Sequence, residues 1–202
     1  MGKIKVYSEF LKLRLASLVV LSSIICYGLA ATEFSLYTMA ALIVGGTLLT
    51  GASNGFNEII EKDLDALMDR TKSRPLPTSK MTFVEAWIVA SIFGVIGIGT
   101  LGYFINPMCG ILGAIALILY TLVYTPLKLK TPFAVFVGAF PGSIPPMLGV
   151  VAASQGFGEI TLLAWLMFAV QFIWQFPHFW AIAWRLNDDY LKAGFKMLPS
   201  LG

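Results

Sequence analysis

The sequence predicts an all-α membrane protein, a polytopic bundle of transmembrane helices. Three observations predict it. Of the 202 residues 57% are apolar and only 12% are charged, about half the roughly 25% charge of a soluble globular domain. Six apolar stretches are long enough to cross a bilayer core, which takes about 20 residues per helix. Finally, every Lys and Arg falls on one side of a six-span arrangement.

The stretches run over Leu15–Ala31, Leu36–Asn54, Thr82–Tyr103, Met108–Tyr124, Phe133–Ala153 and Ile160–Trp184. The basic residues form four groups: Lys3, Lys5, Lys12 and Arg14; Lys62, Arg70, Lys72, Arg74 and Lys80; Lys128 and Lys130; Arg185, Lys192 and Lys196. The intervening connections Thr32–Ser35, Phe104–Pro107 and Ser154–Glu159 hold no Lys or Arg. Excess Lys and Arg marks the cytoplasmic side, so the N-terminus is expected in the cytoplasm of a bacterial cell, with the chain integral to its inner membrane. A basic start before the first apolar run also fits a signal peptide, but five further spans would still hold the chain in the bilayer. The expected partners include the lipid bilayer and no nucleic acid. Cys26 and Cys109 lie inside apolar runs and read as small core residues.

The segment after the second span, Asn54–Lys80, carries the strongest chemical signal. Gly45, Gly51 and Gly55 lead into it and allow close helix approach. Asn57, Glu61, Asp65 and Asp69 are spaced by four, which on a continuous helix lines their oxygens along one stripe. Like charges at that spacing repel, and a divalent cation relieves the repulsion. Mg²⁺ takes hard oxygen ligands and shares one or two carboxylates with substrate phosphates. Arg70, Lys72 and Arg74 follow and are placed to hold phosphate oxygens. The alternative reading is a solvated loop of mixed charge. Pro75 and Pro77 end any helix, and Thr82 with Glu85 forms a capping box for the next one.

The sixth stretch and its exit, Gln171–Pro199, hold the single histidine, His178, among Trp174, Trp180 and Trp184. His178, Ile182, Arg185 and Asp189 follow one helix face. Polar groups on such a face near a membrane rim suggest a site; the other reading is an interfacial aromatic belt with a solvated exit. Asp188 and Asp189 supply a second pair of hard oxygens, and the two acidic patches, on one side of the membrane, could grip one diphosphate. Lys128 and Lys130 serve either as anchors or as contacts to an anion. The run Pro141–Pro146 within the fifth span is expected to kink it, which is tolerated where protein re-satisfies the backbone.

These motifs resemble the UbiA-type superfamily of intramembrane prenyltransferases, and within it the heme O synthase branch. The superfamily's first motif, Asn-Asp-x-x-Asp-x-x-x-Asp, stands here as Asn57-Glu58-x-x-Glu61-x-x-x-Asp65. MDRTKSRPL at Met68–Leu76 is similar to the stretch that follows it in the heme branch. Tyr124-Thr125, Lys128 and Gly138–Pro146 resemble the middle segment; HFWAIA (His178–Ala183) and Asp188–Pro199 resemble the second site. There Arg185-x-x-x-Asp189 replaces the usual Asp-x-x-x-Asp, and Lys128-Leu129 replaces a basic pair.

The resemblance implies a nine-span fold of which six are present, in a single domain over 1–202 that is C-terminally truncated, with motif segments at 55–81 and 185–202. It implies farnesyl transfer from farnesyl diphosphate to the vinyl group of heme B. In that reading Mg²⁺ bridges the diphosphate to Glu61, Asp65 and Asp189, with Asn57 assisting. Arg70, Lys72, Arg74, Lys128 and Arg185 offset the remaining charge. Tyr120, Tyr124, Phe176 and Trp180 are candidates for shielding the allylic cation. His178, with Trp180 beside it, is an axial heme ligand, a propionate contact or a packing residue. A heme A synthase or a terminal oxidase assembly would receive the product. The competing readings are a quinone-type aromatic prenyltransferase and a cation transporter or channel.

Overall fold

The structure is a computed structural model and describes residues 2–197. Short helix α1 (Lys3–Leu11) leads through Lys12 into α2 (Leu13–Ala30), then α3 (Leu36–Ile60) and α4 (Lys62–Asp65). After the polar loop come α5 (Phe83–Phe104), α6 (Pro107–Ile118), a π-helical segment (Leu119–Tyr124) and α7 (Thr125–Leu127). The last elements are α8 (Ala134–Val151), α9 (Leu162–Arg185) and α10 (Asn187–Lys192). Among the described residues six helical stretches are long and apolar enough to cross a membrane: Leu13–Ala30, Leu36–Ile60, Phe83–Phe104, Pro107–Leu127, Ala134–Val151 and Leu162–Arg185. They match the six expected spans to within a few residues, and the protein is a multi-pass membrane protein.

Helix ends follow local chemistry. Side chains cap the N-termini of α3, α5, α6 and α9: Ser35 accepts from Thr38 N, Thr82 from Glu85 N, Asn106 from Cys109 N and Thr161 from Ala164 N. Each satisfies a backbone donor that the helix leaves unpaired. The expected Thr82 cap is therefore present, at 3.1 Å.

Close helix contacts rest on small residues. A Cβ on Gly97 of α5 would lie 2.8 Å from the backbone nitrogen of Leu49 in α3, and one on Gly55 would lie 2.8 Å from the Phe10 ring. Larger residues at these points would push the helices apart. One apolar cluster, around Tyr27, Leu42, Leu101, Cys109 and Val151, fills the end of the bundle away from the basic loops. A second joins α1 to α3 and α5 around Phe10, Ile59 and Leu76. A third, with Met68, Tyr124, Ala183, Phe195 and Met197, lies at the basic rim. Both cysteines are free and buried.

Helix α8 is the most enclosed span and holds Pro141, Pro145 and Pro146. Across these prolines helix continues from Ala134 to Val151. Pro146 has no N–H, so the carbonyl of Gly142 loses its helical donor. Gln175 of α9 replaces it, donating Nε2–H to Gly142 O at 3.2 Å. Ser23 of α2 donates its hydroxyl to Pro145 O at 2.8 Å. Neighbouring helices thus meet backbone acceptors that lipid cannot.

Candidate functional site

The site forms where α3 outruns the membrane. Its 25 residues span about 37 Å at 1.5 Å per residue, against a hydrocarbon core of about 30 Å. The last turn therefore emerges at the basic rim with Asn57 and Glu58. The helix then breaks: Glu61 caps α3 with φ −96° and ψ 8°, and α4 restarts at Lys62. This corrects the four-residue stripe. Asn57, Glu61 and Asp65 stay together and buried, at 5%, 4% and 0% exposure. Asp69 lies beyond the corner with its side chain 62% exposed.

The loop after α4 folds back on it. Thr71 is fully buried and donates its hydroxyl to the Asp65 carbonyl at 2.9 Å, and Arg74 N follows by bonding Thr71 O at 2.9 Å. Arg74 is thereby returned to the acids. Its Nη1 meets Asp65 Oδ2 at 2.6 Å, and its Nε lies 3.6 Å from Glu58 Oε1. Lys12 reaches the same Glu58 oxygen at 3.4 Å. Lys12 sits between α1 and α2 in a left-handed conformation (φ 48°). Burial, then the nearby Arg74 charge, holds its ammonium down to about 8.

The π segment supplies the opposite wall. Asn57 Nδ2 donates to Thr125 Oγ1 at 3.2 Å, and that hydroxyl donates to Tyr120 O at 2.8 Å. Pro126 follows and cannot donate, which favours the wide turn here; π segments recur at functional sites. One turn on, Lys128 is ion-paired with Glu61. The Lys128 ammonium also lies 5.1 Å from the Tyr124 ring centre and 5.2 Å from that of Phe195, within cation–π reach. The backbone N–H of Lys196 bonds Lys128 O at 2.8 Å, so the segment after α10 closes over this wall.

The second acidic motif arrives differently from the helical face expected for it. Helix α9 ends at Arg185, and Leu186 turns the chain (φ −107°, ψ 16°) into α10. Asp189 there accepts the backbone N–H groups of Asp69 at 3.1 Å and Arg70 at 3.0 Å. The Arg70 N–H is the main cause that lowers the Asp189 carboxyl. Lys192 bridges Asp69 (2.5 Å) and Asp189 (3.3 Å), and Lys72 also pairs with Asp69 at 2.5 Å. Bonds from Lys192, then Lys72, hold Asp69 down to about 2.

The predicted residues therefore sort into two layers. Asn57, Glu61, Asp65, Arg74 and Lys128 meet in a buried inner layer. Asp189, Asp69, Lys72 and the Arg70 backbone form an outer latch. Arg185 is exposed at the end of α9. His178 is partly exposed and stacks on Trp174, ring centres 4.6 Å apart at 18°. Trp180 is 44% exposed and packs on Phe176 at 5.9 Å. Pro199 of the second motif lies outside the described residues. Sequence reading left Lys12 among membrane anchors and did not select Glu58 or assign a role to Thr125. Glu58, inside the motif, was open to selection. Nothing in the sequence marks Lys12 as its partner.

Among the described residues no three Asp, Glu, His or Cys side chains converge as a ready-made metal cage. Two do offer hard oxygens in the inner layer, Glu61 and Asp65, and Asp65 Oδ1 is buried with neither a hydrogen bond nor an ion pair. That donor set suits Mg²⁺, which keeps waters and takes its remaining ligands from a phosphate.

The model of the family described as "UbiA prenyltransferase family" matches residues 19–201. This chain belongs to the UbiA prenyltransferase family. Among similar members, protoheme IX farnesyltransferase of Christiangramia forsetii is 54% identical over 194 residues, covering 96% of this chain and 63% of that protein. The protoheme IX farnesyltransferase of Flavobacterium psychrophilum is 51% identical, covering 96% and 64%. This UbiA chain thus spans just under two thirds of those relatives' length. A structure of digeranylgeranylglyceryl phosphate synthase superposes with a TM-score of 0.82 at 20% identity, covering 98% of this chain and 69% of that one. A UbiA homolog from Archaeoglobus fulgidus bound to GPP and Mg²⁺ superposes with a TM-score of 0.74 at 20% identity, covering 95% and 67%. These structures establish a UbiA fold for the six spans.

Proposed function

We propose that this protein transfers the farnesyl group of farnesyl diphosphate to the 2-vinyl group of heme B, making heme O. The work is done at the cytoplasmic face of a bacterial inner membrane. One observation carries the diphosphate chemistry: Glu61 and Asp65 are buried at the mouth of a membrane helix, each paired with a basic side chain, Lys128 and Arg74. The choice of donor and acceptor comes from the protoheme IX farnesyltransferases that the chain resembles at 50–54% identity.

Bound Mg²⁺ would neutralise the diphosphate as a leaving group. Glu61 and Asp65 would hold it, with Asn57 fixed by Thr125 beside them, and Asp189 would join on leaving its latch. Arg74 and Lys128, released from those acids, would turn to the phosphate oxygens, with Arg70, Lys72 and Arg185 at the rim. Such preformed charge is aimed at the pyrophosphate as it develops. The C1–O bond breaks and pyrophosphate leaves with the electron pair. The vinyl π pair then forms the new C–C bond, and water adds at the resulting cation with loss of a proton. Tyr120 and Tyr124, ring centres 5.4 Å apart, with Phe176 and Trp180, would shield the allylic cation. His178 and Trp180 are proposed to meet the porphyrin. The product would pass to a heme A synthase or a terminal oxidase assembly.

The test is an assay of membranes supplied with farnesyl diphosphate, heme B and Mg²⁺, reading heme O by mass. Glu61→Gln and Asp65→Asn are expected to abolish product at normal expression; full activity in both overturns the site. A 4-hydroxybenzoate arm that yields prenylated product while heme B does not would favour a quinone-type enzyme. His178→Ala with an unchanged heme spectrum removes axial ligation.

A further inference from the structure

Glu58 follows Asn57 in sequence and so lies about 100° round the helix from the Asn57–Glu61 stripe. It is fully buried. Lys12 and Arg74 both approach its Oε1 as ion pairs, at 3.4 and 3.6 Å, and neither Oε1 nor Oε2 has a hydrogen bond. Arg74 is forked between two acids. Nη1 makes the short bond to Asp65 (2.6 Å), and Nε makes the long contact to Glu58. A planar guanidinium can hold two acceptors at once, and an ammonium cannot reproduce that fork.

The charges of this group cancel, with Lys12 and Arg74 against Glu58 and Asp65. If Asp65 turns to a metal ion, Arg74 loses its short partner. Its charge is then free for a phosphate only if Glu58 is neutralised by something else, and Lys12 does that. Its direction is set only if one end stays tethered, and Glu58 does that. We infer that Glu58, neutralised by Lys12, is a positioning residue: it anchors Arg74 through Nε while Nη1 exchanges Asp65 for the diphosphate. The inference rests on the magnesium–diphosphate reading above. It also brings the joint between α1 and α2, which holds Lys12 in its left-handed turn, into the working site.

The test uses purified protein in lipid nanodiscs. Magnesium pyrophosphate is titrated calorimetrically, thermal unfolding is followed without ligand, and donor KM and kcat are measured. Glu58→Gln is expected to weaken pyrophosphate binding roughly ten-fold, the equivalent of one charge-assisted contact, and to raise donor KM more than it lowers kcat. Lys12→Met weakens binding, and Lys12→Arg, which keeps the charge, restores it. The double variant Lys12→Met/Glu58→Gln buries no unpaired charge and keeps the fold testable where Glu58→Gln does not. It is expected to bind no worse than Glu58→Gln. Arg74→Lys keeps the charge, loses the fork and is expected to lose binding.

If Glu58→Gln or the double variant binds within about two-fold of wild type while Asp65→Asn does not bind, the positioning role is overturned and the diphosphate site stands. Wild-type binding by Arg74→Lys overturns it equally. If wild-type protein itself takes up no magnesium pyrophosphate, the diphosphate reading falls and this inference with it.

Discussion

Asp189 accepts the backbone N–H of Arg70 at 3.0 Å, and so ties the two acidic motifs together across 119 positions of sequence. The same carboxylate takes the N–H of Asp69 through its other oxygen. A side chain that holds two successive backbone donors fixes the path of the loop. Asp189→Ala is therefore expected to speed amide hydrogen exchange across residues 66–72 and 187–192 by at least roughly ten-fold, leaving the spans unchanged. Equal protection in mutant and wild type would show that the latch carries no ordering role.

The latch has a defined pH range. Asp69 sits at about 2 in the folded protein, against about 3.9 in an unfolded chain. Its depressed value means that its stabilisation is complete above the unfolded value and is lost as pH falls through about 2. Lys192 is raised, chiefly by Asp69, so its share persists until pH rises past the ordinary lysine range. Exchange protection in 66–72, corrected for intrinsic rate, is expected to be flat from neutral pH down to about 4 and to fall below that. A midpoint above about 5 would contradict the pairing.

Lys128 and Glu61 are buried together, with side chains 11% and 6% exposed. Removing one partner leaves an uncompensated charge. Lys128→Met is expected to destabilise the protein by about 3–5 kcal/mol, read from unfolding in mixed micelles. Adding Glu61→Gln should recover most of that loss, because the charge has gone. A double variant as unstable as the single one would place the damage in packing around Tyr124 and Phe195 instead.

Gln175→Leu removes the donor to Gly142 O. A buried carbonyl left unpaired costs about 1–3 kcal/mol, and the same unfolding measurement reads it. Gly142→Ala tests the contact from the other side, since a Cβ there would collide with the Gln175 amide. If neither change lowers stability, water or a shifted helix has taken over the carbonyl.

The spans were legible because hydropathy and the placement of Lys and Arg are properties of the chain itself. So was the Thr82 cap, which needs only Glu85 three residues on. The inner acids were legible from their spacing, but the end of the stripe was not. Spacing by four assumes an unbroken helix, and the break at Glu61 depends on the loop that brings Thr71 and Arg74 back onto Asp65. The same blindness applies to His178 through Asp189, where Leu186 bends the expected face. Lys12 looked like one more anchor because its partner, Glu58, is 46 residues away. Contacts of that kind belong to tertiary structure, as does the Gln175 bond that keeps three prolines inside one helix.

That last bond also has a consequence for biogenesis. Helix α8 leaves the ribosome before α9, and its prolines leave Gly142 O without a donor until Gln175 arrives. Hydrocarbon offers such an acceptor no hydrogen bond. The fifth span is therefore not a finished unit when it is made. It settles into the bilayer as half of a pair with the sixth, so the two should partition from the insertion machinery together.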